Sequence, residues 1–145
     1  MKTILAPIDF SPVSKRILDE AVALVRAWQG RLVILHVVHP PIVTQSEFVT
    51  QKGAEFAALA LDTAAEDLER LKAPLAESGV SVETVHILGF AGEAILQQAK
   101  AVKADYIVMG SHGHGAFYDL IIGSTTSRIL KQAACPVLVV PPKKN

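Results

Sequence analysis

A single cysteine, a single tryptophan and no surplus of either charge set the first limits on this chain. Cys135 cannot close an internal disulfide, and the N-terminus reaches Pro7 and Asp9 too soon for the apolar stretch of a secretory signal. Together these place the protein in the reducing cytoplasm. Lys and Arg number 14 and so do Asp and Glu, leaving a formal charge of zero. With no positive excess to neutralise a polynucleotide backbone, nucleic acid is excluded as a primary partner. Half of the residues are hydrophobic, yet the longest apolar runs are strand-sized, far below the roughly 20 residues of a membrane span. A length of 145 residues fits one domain over the whole chain, with a substantial core and no room for a second.

What is present alternates. Ile4 to Ile8 is a continuous apolar run, as in a strand covered on both faces, and Pro7, which cannot donate to a ladder, is expected at its last hydrogen-bonding position. Ser11-Pro12 reads as a helix cap followed by first-turn proline. Ile17, Leu18, Ala21, Leu24, Val25 and Trp28 then recur at helical spacing up to a stop at Gly30. Leu32 to Val38 is a second buried strand. From His39 to about Gly53 no pattern holds, so a long loop with at most a short helical turn is expected. An amphipathic helix runs from Ala54 to Gly79, and its stripe is too short for a coiled coil. The partly alternating residues 80–87 suggest an edge strand. A helix over 92–99, a strand over 104–109, a helix over 124–134 with Ile129 and Leu130 inward, and a strand over 136–140 complete an open parallel α/β pattern.

The stretch Gly110-Ser111-His112-Gly113-His114-Gly115, followed by 116–122 and then by Gly123-Ser124-Thr125-Thr126 at the start of a segment with helical spacing, carries the chemistry. Glycines admit a ligand close to the main chain. A helix start offers unpaired N–H groups and the positive end of the dipole to an anion, and the hydroxyls of Ser124, Thr125 and Thr126 add donors. The alternative is a flexible loop before an ordinary cap. No Gly-Lys-Ser/Thr follows the glycines, so this is not a Walker loop; spacing also excludes the dinucleotide fingerprint.

Gly110, two residues, Gly113, nine residues, Gly123 and a hydroxyl residue resemble the nucleotide-binding signature of the universal stress protein family, in its ATP-binding branch. The resemblance extends to 4–11 (Ile-Leu-Ala-Pro-Ile-Asp-Phe-Ser), to Leu35-His36-Val37, and to Cys135-Pro136-Val137-Leu138-Val139-Val140. It implies a single Rossmann-like sheet of five parallel strands in the order 3-2-1-4-5 with helices on both faces. Ligands then bind where the winding reverses, outside the carboxyl ends of strands 1 and 4. The resemblance also implies that Ala6, Pro7, Asp9 and Val37 form the adenine and ribose side. Gly110, Gly113, Gly123, Ser124 and Thr125 hold the phosphates of ATP or AMP, with Met109 and His112 beside them. Asp9 repels phosphate, so it is expected at ribose hydroxyls, a base edge, or a Mg²⁺ or Mn²⁺ ion carried by the nucleotide; its alternative is a turn residue capping the first helix with Ser11. The implied order leaves the apolar last strand at an edge, and the resemblance implies a homodimer paired through Val137, Leu138, Val139 and Val140.

Other groups carry less. His36, His112 and His114 do not make a zinc set. Cys135 reads as packing, and Arg128 as a surface residue. The leading function is a dimeric, adenine-nucleotide-dependent signalling module of the stress response with a protein partner still to be identified. A slow metal-dependent ATPase or autokinase in the same pocket is the second reading, disfavoured by the missing lysine and base. A nucleotide-independent dimeric regulator is the third.

Overall fold

The computed structural model describes residues 1–41, 47–112 and 122–143, for 47–50 the backbone alone. Its elements are β1 (Thr3–Ile8), α1 (Val13–Trp28), β2 (Arg31–Val38), α2 (Glu47–Glu77), β3 (Val82–Leu88), α3 (Ala91–Ala101), β4 (Tyr106–Gly110), α4 (Ser124–Gln132) and β5 (Val137–Val140). The strands form one all-parallel sheet in the order β3-β2-β1-β4-β5. Residues 113–121, including Gly113, His114 and Gly115 of the glycine-punctuated loop, lie outside the described residues.

Side-chain alternation along the central strands explains the two cores. Ile4, Ala6 and Ile8 pack with Ile17, Ala21 and Val25 of α1 and Leu68 of α2 on one face. Leu5, Leu35, Ile107 and Met109 pack with Ile95 of α3 and Ile129 of α4 on the other. All six residues of β1 are buried, which is why its apolar run shows no alternation. β3 and β5 are the edges.

Several local expectations are corrected. The supposed loop to Gly53 contains the first turns of α2, which starts at Glu47; with two prolines and a polar run before it, the helical stripe is too weak there to show in sequence. Gly30 is not the left-handed stop of α1. That role falls to Gln29 at φ 50, while a side chain on Gly30 would run into the Lys2 carbonyl, the acceptor of the Arg31 N–H that starts the β1–β2 pairing. Leu130 is 45% exposed, because only Ile129 of that pair faces the sheet. Trp28 is also largely outside the core, stacked on Tyr106 with ring centroids 4.8 Å apart.

The turn after β1 is unusual. Phe10 has φ 60, a left-handed conformation that costs an aromatic residue about 1–2 kcal/mol. Ser11 does not cap α1 with its side chain: the N-cap is Pro12 without a side-chain bond, and Ser11 Oγ is buried without a hydrogen-bond partner. Ser11 instead gives its backbone N–H to Asp9 Oδ1 at 3.0 Å.

At the opposite end of the sheet, Asp105 accepts the Thr3 N–H at 2.8 Å and Lys2 Nζ at 3.1 Å. These bonds, the Thr3 one first, hold its carboxyl below the ordinary carboxylate value. A lowered folded-state pKa contributes stability that is complete above the unfolded carboxylate's pKa and disappears as pH falls through the lowered value. Asp105→Asn is therefore expected to lower the melting temperature at pH 7. Melting curves should show that deficit shrinking below about pH 4, and a deficit independent of pH would remove the ionic contribution.

Candidate functional site

The site begins with a missing hydrogen. The Lys2 carbonyl accepts Arg31 N–H on the β2 side, and the Thr3 carbonyl accepts Asp105 N–H on the β4 side. Strand alternation then turns the backbone groups of residues 5 and 7 toward β4. Pro7 has no N–H to give there. The β1–β4 pairs stop at Leu5↔Ile107, whereas β1–β2 pairing runs on to Ile8↔His36. Past Leu5 the two strands part, and a crevice of about 450 Å³ opens between their carboxyl ends. Pro7 therefore ends the strand's bonding toward β4, as its chemistry requires, although β1 itself continues one residue further.

Pro7, Asp9, Val37, Met109, Gly110, His112, Gly123, Ser124 and Thr125 all line this crevice. Ala6 does not; it is fully buried in the core beneath α1, one residue before the crevice opens at Pro7. Gly113 lies outside the described residues. The wall also takes in Ile17 of α1 and Ile95 of α3, which sequence reasoning missed. Leu35 was readable, since it shares a strand face with Val37 two residues on; helix residues reaching the crevice from both sides of the sheet left no such trace.

The entrance to α4 is stitched to the sheet. Thr126, 3% exposed, donates its hydroxyl to the Gly110 carbonyl at 2.8 Å. Gly123 N–H donates to the Ser111 carbonyl at 2.9 Å, and Ser111 N–H to Val140 at 3.1 Å. Two expected anion donors, the Gly123 amide and the Thr126 hydroxyl, are thus committed to the protein. What remains is the first turn: Ser124, Thr125 and Thr126 line the crevice, α4 has no side-chain cap, and first-turn N–H groups have no acceptor within their own helix.

The glycines differ in purpose. A Cβ at Gly110 would crowd the His112 carbonyl at 3.1 Å and Val13 and Ile17 at 3.3 and 3.4 Å, so the packing of β4 and α1 favours glycine there. At Gly123 φ −56 and ψ 155 suit any residue, and among the described residues a Cβ would meet only ordinary contacts at 3.5 Å and beyond.

Charge in the crevice is sparse. Asp9 Oδ1 accepts the Ser11 N–H and, at 3.5 Å, the Ser14 hydroxyl, so its turn-forming role is real. His112 shares a 2.8 Å hydrogen bond between Nδ1 and the Ser111 hydroxyl. No Lys or Arg is among the described lining residues; the exposed Arg128 lies across Gly92 of α3. His36 donates Nδ1–H to the Ile8 carbonyl at 2.9 Å and lines a different depression. Cys135 packs among the partly buried residues beneath α3 and α4, and burial, with Asp105 second, pushes its thiol pKa up, away from reactive thiolate. Among the described residues no group of three or more His, Cys, Asp or Glu could hold a metal ion, and no helix is long and apolar enough to cross a membrane.

Comparison with known proteins decides the family: the model of the universal stress protein family matches residues 1–141. The chain belongs to the universal stress protein family. A universal stress protein of Thermus aquaticus, encoded in the QAH/OAS sulfhydrylase 3′ region, is 38% identical, the match covering 96% of this chain and 98% of the relative. Among solved structures, MJ0577 superposes with a TM-score of 0.88 at 28% identity, covering 99% of this chain and 98% of that one. UspA from Lactobacillus plantarum gives 0.85 at 26% identity, with 96% and 97% covered. Two family structures of the same fold are complexes, one with cAMP (TM-score 0.62, 22% identity, 97% and 96% covered) and one from Archaeoglobus fulgidus with dAMP (0.61, 18%, 96% and 97%).

Thr126 is the residue that holds the α4 entrance in register with β4. Thr126→Val keeps the shape and removes the bond to Gly110, and it is expected to cost about 1–3 kcal/mol in urea unfolding at unchanged m-value. No change in the midpoint would mean that the stitch contributes nothing.

Proposed function

We propose that this universal stress protein binds an adenine nucleotide, ATP or AMP, in the crevice between β1 and β4, and works as a nucleotide-dependent signalling module in the cytoplasm. The observation that carries this reading is Gly123. Among the described residues nothing requires a glycine at that position, yet it stands at the first-turn amides of α4, where a side chain would occupy the space an anion needs. The phosphates meet Ser124, Thr125 and Thr126 N–H groups and the two exposed-end hydroxyls, with His112 alongside. The base and ribose lie toward Pro7, Asp9 and Val37 at the ends of β1 and β2, which keeps the carboxylate away from the phosphates. The AMP-type ligands of the two complexes, and the volume of the crevice, support the class of ligand.

A Mg²⁺ or Mn²⁺ ion would come with the phosphates, and the donor set fits it only in that form: Asp9 is the one carboxylate in the described wall and already serves its own turn. Such an ion would screen phosphate charge. The absence of Lys and Arg from the described wall favours holding a nucleotide over transferring its phosphoryl group.

The dimer belongs to the same proposal. β5 is an edge strand with Leu138 38% exposed, and an uncovered apolar edge invites pairing with a second copy.

Denaturing the purified protein and identifying the released small molecules tests the ligand: ATP, ADP or AMP is expected, and an empty protein with no titratable affinity would end the proposal. Gly123→Ala should fold normally, since its backbone angles and its described neighbours accept a Cβ, and should weaken nucleotide binding about tenfold or more, a loss of about 1.4 kcal/mol. Undiminished affinity would take the α4 entrance out of the site. Val139→Lys is expected to give monomers in sizing chromatography; an unchanged dimer would place the interface elsewhere.

A further inference from the structure

A second depression lies across β1 from the crevice, between the end of that strand and α2. Phe10, His36, Phe56, Leu59, Ala60, Thr63, Ala64 and Asp67 line its roughly 280 Å³. Its apolar walls are open to solvent: Phe56 is 66% exposed, Leu59 64% and Phe10 37%. On α2 the residues at 56, 59–60, 63 and 67 form one stripe at helical spacing, and this stripe is displaced from the one that meets the sheet through Ala57, Ala64 and Leu68, all buried. The small Ala60 and Thr63 make the hollow, and the large Phe56 and Leu59 stand beside it. Apolar side chains this size, grouped and uncovered, mark a contact surface.

The opposite wall is held in place against a backbone preference. Phe10 takes its left-handed φ of 60, beside the unpartnered Ser11 hydroxyl, and its ring packs on His36 with centroids 4.6 Å apart. Strain of this kind concentrates where a surface has a task. Charge then restricts what the surface can take. Glu55, Asp62 and Glu66, seven and four residues apart, fall in one row along the outer flank of Leu59, all three exposed. Of the cations near this row, Arg70 is shared between Asp67 at 2.7 Å and Glu66 at 3.9 Å.

We propose that this groove takes the apolar face of a basic amphipathic helix from a partner protein, with Phe56, Leu59 and Phe10 as apolar anchors and the row Glu55, Asp62, Glu66 meeting its Lys or Arg side chains. The site is separate from the crevice and does not depend on what the crevice binds. Phe10 nonetheless follows Asp9 directly, so the two sites meet in one turn.

The full chain is titrated with two fluorescently labelled helical peptides of about four turns, one built from Leu and Lys and one from Leu and Glu, followed by anisotropy. The Leu/Lys peptide is expected to bind and the Leu/Glu peptide not. Phe56→Ser and Leu59→Ser, both at exposed positions and both checked by thermal melting, should each weaken binding about tenfold or more. Leu130→Ser, at an exposed apolar residue of α4, should leave it unchanged. Replacing Glu55, Asp62 and Glu66 together by Lys should abolish the preference for the basic peptide. No binding of the Leu/Lys peptide, equal binding of both peptides by the wild type, or affinity indifferent to Phe56→Ser and Leu59→Ser would overturn the proposal.

Discussion

A ladder bond that Pro7 cannot make is the constraint on which the rest of this architecture turns. Parallel strands stay in register only while each backbone group facing the neighbour finds its partner. With no N–H at the position facing β4, pairing between β1 and β4 lapses after Leu5↔Ile107 while β1 continues against β2. The sheet therefore splits at one end along the seam where its winding reverses, with α1 and α2 packed on one face and α3 and α4 on the other. A buried proline in a central strand is otherwise a defect; here it makes the opening.

Around that opening the chain commits some polar groups to itself and leaves others. The Thr126 hydroxyl and the Gly123 amide fasten the start of α4 to the end of β4, and Ser111 fastens β4 to β5. Fixing the helix entrance in this way holds its remaining first-turn amides in a constant direction, so an anion binding there orders little that is not already ordered. Gly110 and Gly123 look alike in sequence, yet a Cβ at the first would crowd the His112 carbonyl, Val13 and Ile17, whereas at the second it would meet only ordinary contacts among the described residues.

Much of this was legible beforehand. The unbroken apolar runs of the inner strands announced a sheet covered on both faces, and the glycine spacing with its hydroxyl terminus pointed to the helix entrance. What failed to show had physical reasons. The first turns of α2 follow two prolines and a polar run, so periodicity there is faint. Gln29 carries the left-handed residue that Gly30 was expected to supply, because Gly30 is needed against Lys2. Ala6 was expected in the wall beside Pro7, but it lies in the core beneath α1, one residue before the crevice opens. The internal bond of Gly123 could not have been foreseen, since it depends on where the Ser111 carbonyl falls in space. The strained Phe10 carries no sequence signature at all.

The central claim, that an adenine nucleotide places its phosphates on the first-turn amides of α4, is tested most directly by amide chemical shifts in ¹⁵N-labelled protein titrated with ATP or AMP. The account predicts the largest shifts at Ser124, Thr125 and Thr126, with accompanying changes at Asp9 and Val37 and a smaller one at Gly123, whose N–H is already bonded to Ser111. Shifts confined to residues away from the β1 and β4 ends, or none at saturating nucleotide, would contradict it.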